Sequence, residues 1–112
     1  MKAVKAYIRC EKAEEVVSAL VEKGIRSITL INVMGMGLLA DPHTAKYSME
    51  CVEQYSKVAK LEIVCSDDRV HEIVETIRSA AYTGLKGDGM IYVTPVEMAI
   101  KIRSGAIGEE AV

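Results

Sequence analysis

Residues Lys2 to Arg9 alternate along the chain. Val4, Ala6 and Ile8 fall on one side and Lys5, Tyr7 and Arg9 on the other, the period of a strand with one buried face. From Lys12 to Lys23 the period lengthens: Ala13, Val16, Val17 and Leu20 recur at helical spacing. Glu14 and Glu15 sit in the first turn, and Gly24 is placed to stop the helix. Ser27 to Met34 then reads as a second strand, rich in β-branched Ile28, Thr29, Ile31 and Val33.

The same order repeats. Lys60 to Cys65 predicts a strand, Asp67 and Asp68 open a helix striped by Val70, Ile73, Val74, Ile77 and Ala81, and Met90 to Thr94 closes as a strand. Both halves pass from a strand end through a cysteine into an acidic helix start, "IRCEKAEEVVSAL" and "IVCSDDRVHEIVETI". Two strand–helix–strand units in series predict an α+β fold of ferredoxin-like βαββαβ type. Both helices then cover one face of the sheet, and no third helix is available for the other. Oligomerisation is the simplest way to cover it.

Length and composition narrow the class. A chain of 112 residues, half hydrophobic and 27% charged, fits one folded domain over 1–112. A net charge of −2 argues against nucleic acid or an anionic membrane surface as partner. No apolar run reaches the roughly 20 residues of a membrane helix. The start, Met1-Lys2-Ala3-Val4, lacks the apolar stretch of a signal peptide, so a cytoplasmic protein is expected. There is no Trp or Phe, so the core must be aliphatic. Cys10, Cys51 and Cys65 form no CxxC pair and are read as buried thiols.

Two segments carry candidate chemistry. Between the second and third strands, Gly35 to Lys57 is far longer than an ordinary connection and carries glycines at its base and Asp41-Pro42 as a turn signal. Such loops are commonly functional, and this one is read as a surface for a partner. The second is "YTGLKGDGMIYV", with Gly84, Gly87 and Gly89 crowded before a strand. By composition it is either a plain turn or a nest of main-chain N–H groups suited to an anion. His43 and Cys51 share the long loop, but one His and one Cys eight apart make no metal site. His71 is read as a surface residue.

The order of elements, the long loop, "TGLKGDGMIYV" and the ending "IKIRSGAIGEEAV" together resemble the PII nitrogen-regulatory signalling family, whose members read "TGKIGDGKIFV" and "IRTGE" at the equivalent places. The resemblance spans nearly the whole chain. It implies a homotrimer with adenine-nucleotide sites in the clefts between subunits. It implies that the loop from Gly37 to about Lys57 docks onto a target protein. Residues Gly87, Asp88 and Gly89 would line the phosphates, Arg103 would reach them from a neighbouring subunit, and Thr29, Gly35, Gly37 and Val64 would surround base and ribose.

Departures from the family pattern qualify this. Leu38 and Leu39 stand where members carry Arg-Gln, and leucine cannot ligate magnesium, so no role for magnesium or 2-oxoglutarate is expected. Met90 replaces the lysine that meets the outer phosphates, with Lys86 as a compensating cation, and Lys101 replaces an arginine of the tail. ADP or AMP is therefore the favoured ligand over ATP, with a second effector such as bicarbonate or a cyclic nucleotide. The target is a transporter (hence a membrane partner), a metabolic enzyme or a regulator of nitrogen or carbon assimilation. No catalytic residue and no metal ligand is assigned. The alternatives are a slow nucleotide hydrolase, for which Asp88 is the sole candidate base, and a metal-tolerance or structural trimer.

Overall fold

The computed structural model describes residues 1–35, 46–47 and 54–112. Strand β1 (Lys2–Arg9) leads through a short 3-10 turn (Cys10–Lys12) into helix α1 (Ala13–Glu22), followed by β2 (Thr29–Gly35). A two-residue strand β3 (Lys46–Tyr47) precedes the long β4 (Gln54–Cys65). A second 3-10 turn (Asp67–Arg69), α2 (Val70–Ala81) and β5 (Gly89–Pro95) complete the core, and the tail ends in a 3-10 turn (Gly108–Ala111). This is the expected ferredoxin-like βαββαβ order, with β3 added.

The end of α1 shows how local sequence sets the path. Gly24 takes φ +83°, the Ile25 N–H donates to the Leu20 carbonyl at 3.0 Å, and the Gly24 N–H donates to Val21 at 2.9 Å. These two bonds form a Schellman cap, which glycine enters without a Cβ penalty. The cap turns Ile25 back into the core, where it is buried beside Leu20.

The sheet runs β2-β4-β1-β5, every neighbour antiparallel, with β3 paired to β4 outside that path. The two strands of each strand–helix–strand unit are therefore separated by a strand of the other unit, which interlocks the halves. Val4, Ala6 and Ile8 of β1 and Ala59, Leu61, Ile63 and Cys65 of β4 meet Val16 and Leu20 of α1 and Ile73, Ile77 and Ala81 of α2 in one aliphatic core. The predicted helix stripes are the buried positions, with Ala13, Val17, Val70 and Val74 packed at the margin.

Three features differ from the sequence reading. Strand β4 starts at Gln54 rather than Lys60, because its first residues pair with both β2 and β3. The connection after β2 therefore contains a small hairpin. The second difference concerns cysteine: Cys65 is buried, and burial pushes its thiol pKa up, but Cys10 is only half-buried, its thiol 3.7 Å from the Asn32 side-chain oxygen. Third, Arg9, assigned by alternation to the open face, is buried at 6% exposure. The readings made for Gly37, Leu38, Leu39, Asp41-Pro42, His43 and Cys51 lie outside the described residues. His71 is exposed as expected.

The face of the sheet away from the helices carries mixed side chains. In register across the strands run Ile31, Lys60, Tyr7 and Met90, then Thr29, Glu62, Lys5 and Tyr92. Tyr7 and Tyr92 meet edge to face with centroids 5.9 Å apart, Lys60 lies 5.6 Å from the Tyr7 ring centroid, and Lys60 pairs with Glu62 at 3.2 Å. Ile31, Met90 and Tyr92 remain exposed.

Candidate functional site

The glycine-rich segment leaves α2 at Tyr82, whose extended backbone ends the helix while its N–H still donates to the Arg78 carbonyl at 3.1 Å. From Thr83 to Asp88 the chain wraps around one carboxylate. Asp88 Oδ2 accepts the main-chain N–H of Thr83 at 2.9 Å and of Gly84 at 3.0 Å. Its Oδ1 accepts the Thr83 hydroxyl and, at 3.0 Å, Arg9 Nε. Thr83 Oγ1 in turn accepts the Leu85 N–H at 3.2 Å. Burial alone pushes the Asp88 carboxyl pKa up. The Thr83 hydroxyl and amide, Arg9 and the Gly84 amide outweigh it and hold the group well below the usual carboxylate range.

Arg9 fastens the far side of the loop. Its Nη2 donates to the Lys86 carbonyl at 2.8 Å, and Glu11 lies 3.9 Å from Nη1. The loop then joins β5 at Gly89, opposite Ile8. Gly89 has φ +112°, and a Cβ there would sit 1.7 Å from the Tyr7 carbonyl oxygen, so no other residue fits this crossing. Gly84 and Gly87 also have positive φ, +86° and +95°. The segment is more than a plain turn: it is a loop pinned from inside by a carboxylate and underneath by a guanidinium. Beside it, Tyr7, Ile8, Ile77, Ala81, Tyr82 and Met90 line a largely apolar cleft of about 340 Å³.

The Asp88 carboxylate is occupied by four donors within the protein and so organises the loop. Lys86 is exposed, with its main-chain carbonyl committed to Arg9.

The remaining site residues lie elsewhere in the chain. Thr29 and Val64 share the open face on adjacent strands β2 and β4, and Gly35 ends β2 opposite Ser56. Gly89 starts β5 at the opposite edge of the sheet, about 14 Å from β2 by strand spacing with β4 and β1 in between, and Gly87 lies in the loop before it. Lys101 and Arg103 are exposed on a tail hairpin closed by the Ile100–Ile107 bridge and by bonds of 2.9 Å (Lys101 N–H to Ala106) and 2.7 Å (Gly105 N–H to Lys101). Ile102 between them is fully exposed. Gly37 lies outside the described residues. One chain therefore does not gather these residues at one point.

Arg9 and Thr83 escaped the reading of the sequence. Strand alternation put Arg9 among solvated residues, and only the antiparallel pairing of β1 with β5 brings it to a loop 79 positions away. An acidic residue among glycines, in need of a counter-charge, was the available signal.

Comparison with known proteins gives a consistent answer. The family model described as nitrogen regulatory protein P-II matches residues 1–106. The nitrogen regulatory protein P-II of Azospirillum brasilense is 41% identical over 113 residues, spanning all of both chains. The nitrogen regulatory protein GlnK2 of Haloferax mediterranei is 40% identical over 116 residues, covering all of this chain and 91% of its own. The crystal structure of Arabidopsis thaliana PII bound to citrate superposes with a TM-score of 0.83 at 35% identity, over 99% of this chain and 91% of that one. With the family model matched over residues 1–106 and relatives and fold matched almost from end to end, the chain belongs to the PII family of nitrogen-regulatory signal-transduction proteins.

Proposed function

We propose that this protein is a homotrimeric adenylate sensor that binds ADP or AMP in the clefts between subunits and controls a target protein through the segment from 37 to 57. The observation that carries this reading is the placement of the site residues. Gly87 and Gly89 have positive φ, a backbone form in which main-chain N–H groups of the pinned loop could converge on phosphate oxygens. Thr29 lies on β2 at the other edge of the same sheet, with Val64 on the adjacent β4. A ligand that uses both needs a second copy to bring the edges together, and the partly apolar open face gives the copies a surface to share. Lys101 and Arg103, exposed on the tail hairpin, supply cations for phosphates, Arg103 as a fork and Lys101 as a point charge.

Leu38, Leu39 and Met90 remove oxygen and nitrogen ligands at the outer end of the site. ATP should lose its advantage over ADP, and magnesium with 2-oxoglutarate should add little. Bicarbonate or a cyclic nucleotide is the second effector in this reading. The target is a membrane transporter, an assimilatory enzyme or a regulator, and the setting is cytoplasmic. No helix among the described residues is long and apolar enough to cross a membrane. A hydrolase is disfavoured because Asp88 is committed inside the loop. Calorimetry with ADP, AMP, ATP and cyclic AMP, each with and without magnesium and 2-oxoglutarate, tests the ligand assignment. Comparable ADP and ATP affinities without synergy are expected. Strong ATP and 2-oxoglutarate synergy would contradict the reading of Leu38 and Leu39.

A further inference from the structure

We propose that Arg9 is the positioning residue of the glycine loop, acting through Asp88 and the Lys86 carbonyl to hold the main-chain N–H groups around Gly87 and Gly89 in an anion-receiving arrangement. The inference rests on the adenylate reading for its ligand but not for its geometry.

A carboxylate at the centre of an anion site is unfavourable unless its charge is neutralised, because a phosphate brought near it meets a like charge. Asp88 is that carboxylate, and Arg9 supplies the neutralising cation at 3.0 Å from below the loop. Arg9 is 6% exposed and Asp88 25%, so water screens the pair only in part. The guanidinium also makes a second contact that no point charge reproduces: it donates to Asp88 and to the Lys86 carbonyl at once. This ties the loop at two points, residues 86 and 88, to the last residue of β1. Arg9 is itself fixed by register, since it pairs with Val58 of β4, which pairs with Val33 of β2. Position 9 thus joins the loop to the strands that lead into the 36–53 segment. Arg9 contacts the loop's scaffold and would not need to touch the nucleotide.

Three variants of the full-length protein test this: Arg9→Met, Arg9→Lys and Asp88→Asn. Amide hydrogen exchange reads the loop, and calorimetry with ADP reads the ligand. Arg9→Met should accelerate exchange at Thr83 and Gly84 by roughly tenfold or more, leave α1 and the centre of β4 unchanged, and weaken ADP binding about 10- to 100-fold. Arg9→Lys, which keeps the charge but loses the fork, should recover only part of the ADP affinity and leave the exchange at Thr83 and Gly84 between those of wild type and Arg9→Met. Asp88→Asn breaks the same contact from the loop side and should accelerate the same amides, so the test survives if Arg9→Met fails to fold. Arg9→Met introduced on top of Asp88→Asn should add little further loss. Unchanged loop exchange in both Arg9→Met and Asp88→Asn, or ADP affinity unaffected by Arg9→Met with the wild type binding normally, would overturn the proposal. Absence of ADP binding to the wild type would instead remove the adenylate reading, and the exchange data would still decide whether Arg9 holds the loop.

Discussion

Arg9 closes on Asp88 at 3.0 Å across 79 positions of sequence, and the pair fixes the path of the loop between α2 and β5. The contact exists because β1 and β5 are antiparallel neighbours with Ile8 opposite Gly89, which brings the end of one strand to the start of the other. A loop dense in glycine would otherwise carry a large conformational entropy. The five donor–acceptor contacts around Asp88 and Thr83 offset it.

The pair makes stability depend on pH in a defined direction. Asp88 has a folded pKa below its unfolded value of about 4, so its contribution is complete above that value and is lost as pH falls below it. Asp88→Asn should cost about 2–3 kcal/mol at pH 7. The difference between wild type and variant should stay constant down to pH 5 and shrink by about 1 kcal/mol at pH 3. Urea unfolding at the three pH values measures this. A difference independent of pH would show that Asp88 does not act as a carboxylate.

Gly89→Ala should be far more damaging than Gly24→Ala. Both positions have positive φ, but at Gly24 a Cβ meets nothing within 4 Å, while at Gly89 it would lie 1.7 Å from the Tyr7 carbonyl oxygen. Gly24→Ala should cost about 1–2 kcal/mol from backbone strain alone. Gly89→Ala should add overpacking of about 1–3 kcal/mol and disturb the β1–β5 pairing. Denaturant midpoints of the two variants provide the comparison, and equal midpoints would contradict it.

The aliphatic core was legible in the sequence. The stripes Val16–Leu20 and Ile73–Ile77–Ala81 follow a 3.6-residue period, and Val4–Ala6–Ile8 a two-residue period, because burial on one face selects side chains by position. The glycine loop was legible as a candidate and its ferredoxin-like setting as a topology. The extension of β4 back to Gln54 was hidden by polar residues, since pairing with β2 and β3 needs only backbone. The role of Arg9 was hidden because it depends on a long-range pairing that no local pattern encodes. The partners of the Asp88 carboxylate, Thr83, Gly84 and Arg9, were not legible either, because they depend on the folded path of the loop and on β1.

Removing core volume should show how little reserve an all-aliphatic domain has. Leu61 and Ile73 are fully buried between the sheet and α2. Truncating either to alanine should cost about 2–5 kcal/mol. Thermal or chemical unfolding that shifted by less than 1 kcal/mol would mean the site collapses around the missing atoms.

The open face should be where copies of the chain meet. Tyr92 sits there exposed, stacked edge-on against Tyr7. Light scattering of the wild type at micromolar concentration should return three times the chain mass, and Tyr92→Asp should reduce it. A wild-type monomer would remove both the assembly and the site between subunits.

The central claim, that the ligand site is completed by two chains, has a direct test by complementation. Gly87→Ala damages the loop side of the site, and Arg103→Ala removes the cation of the tail hairpin. Each variant alone should bind ADP far more weakly than wild type. Co-expressed with different tags and purified as mixed trimers, the two should regain wild-type affinity in about a third of the sites, because every ring of three that contains both variants has one junction where an intact loop meets an intact Arg103. Mixed trimers with no recovered high-affinity sites would contradict a site shared between subunits.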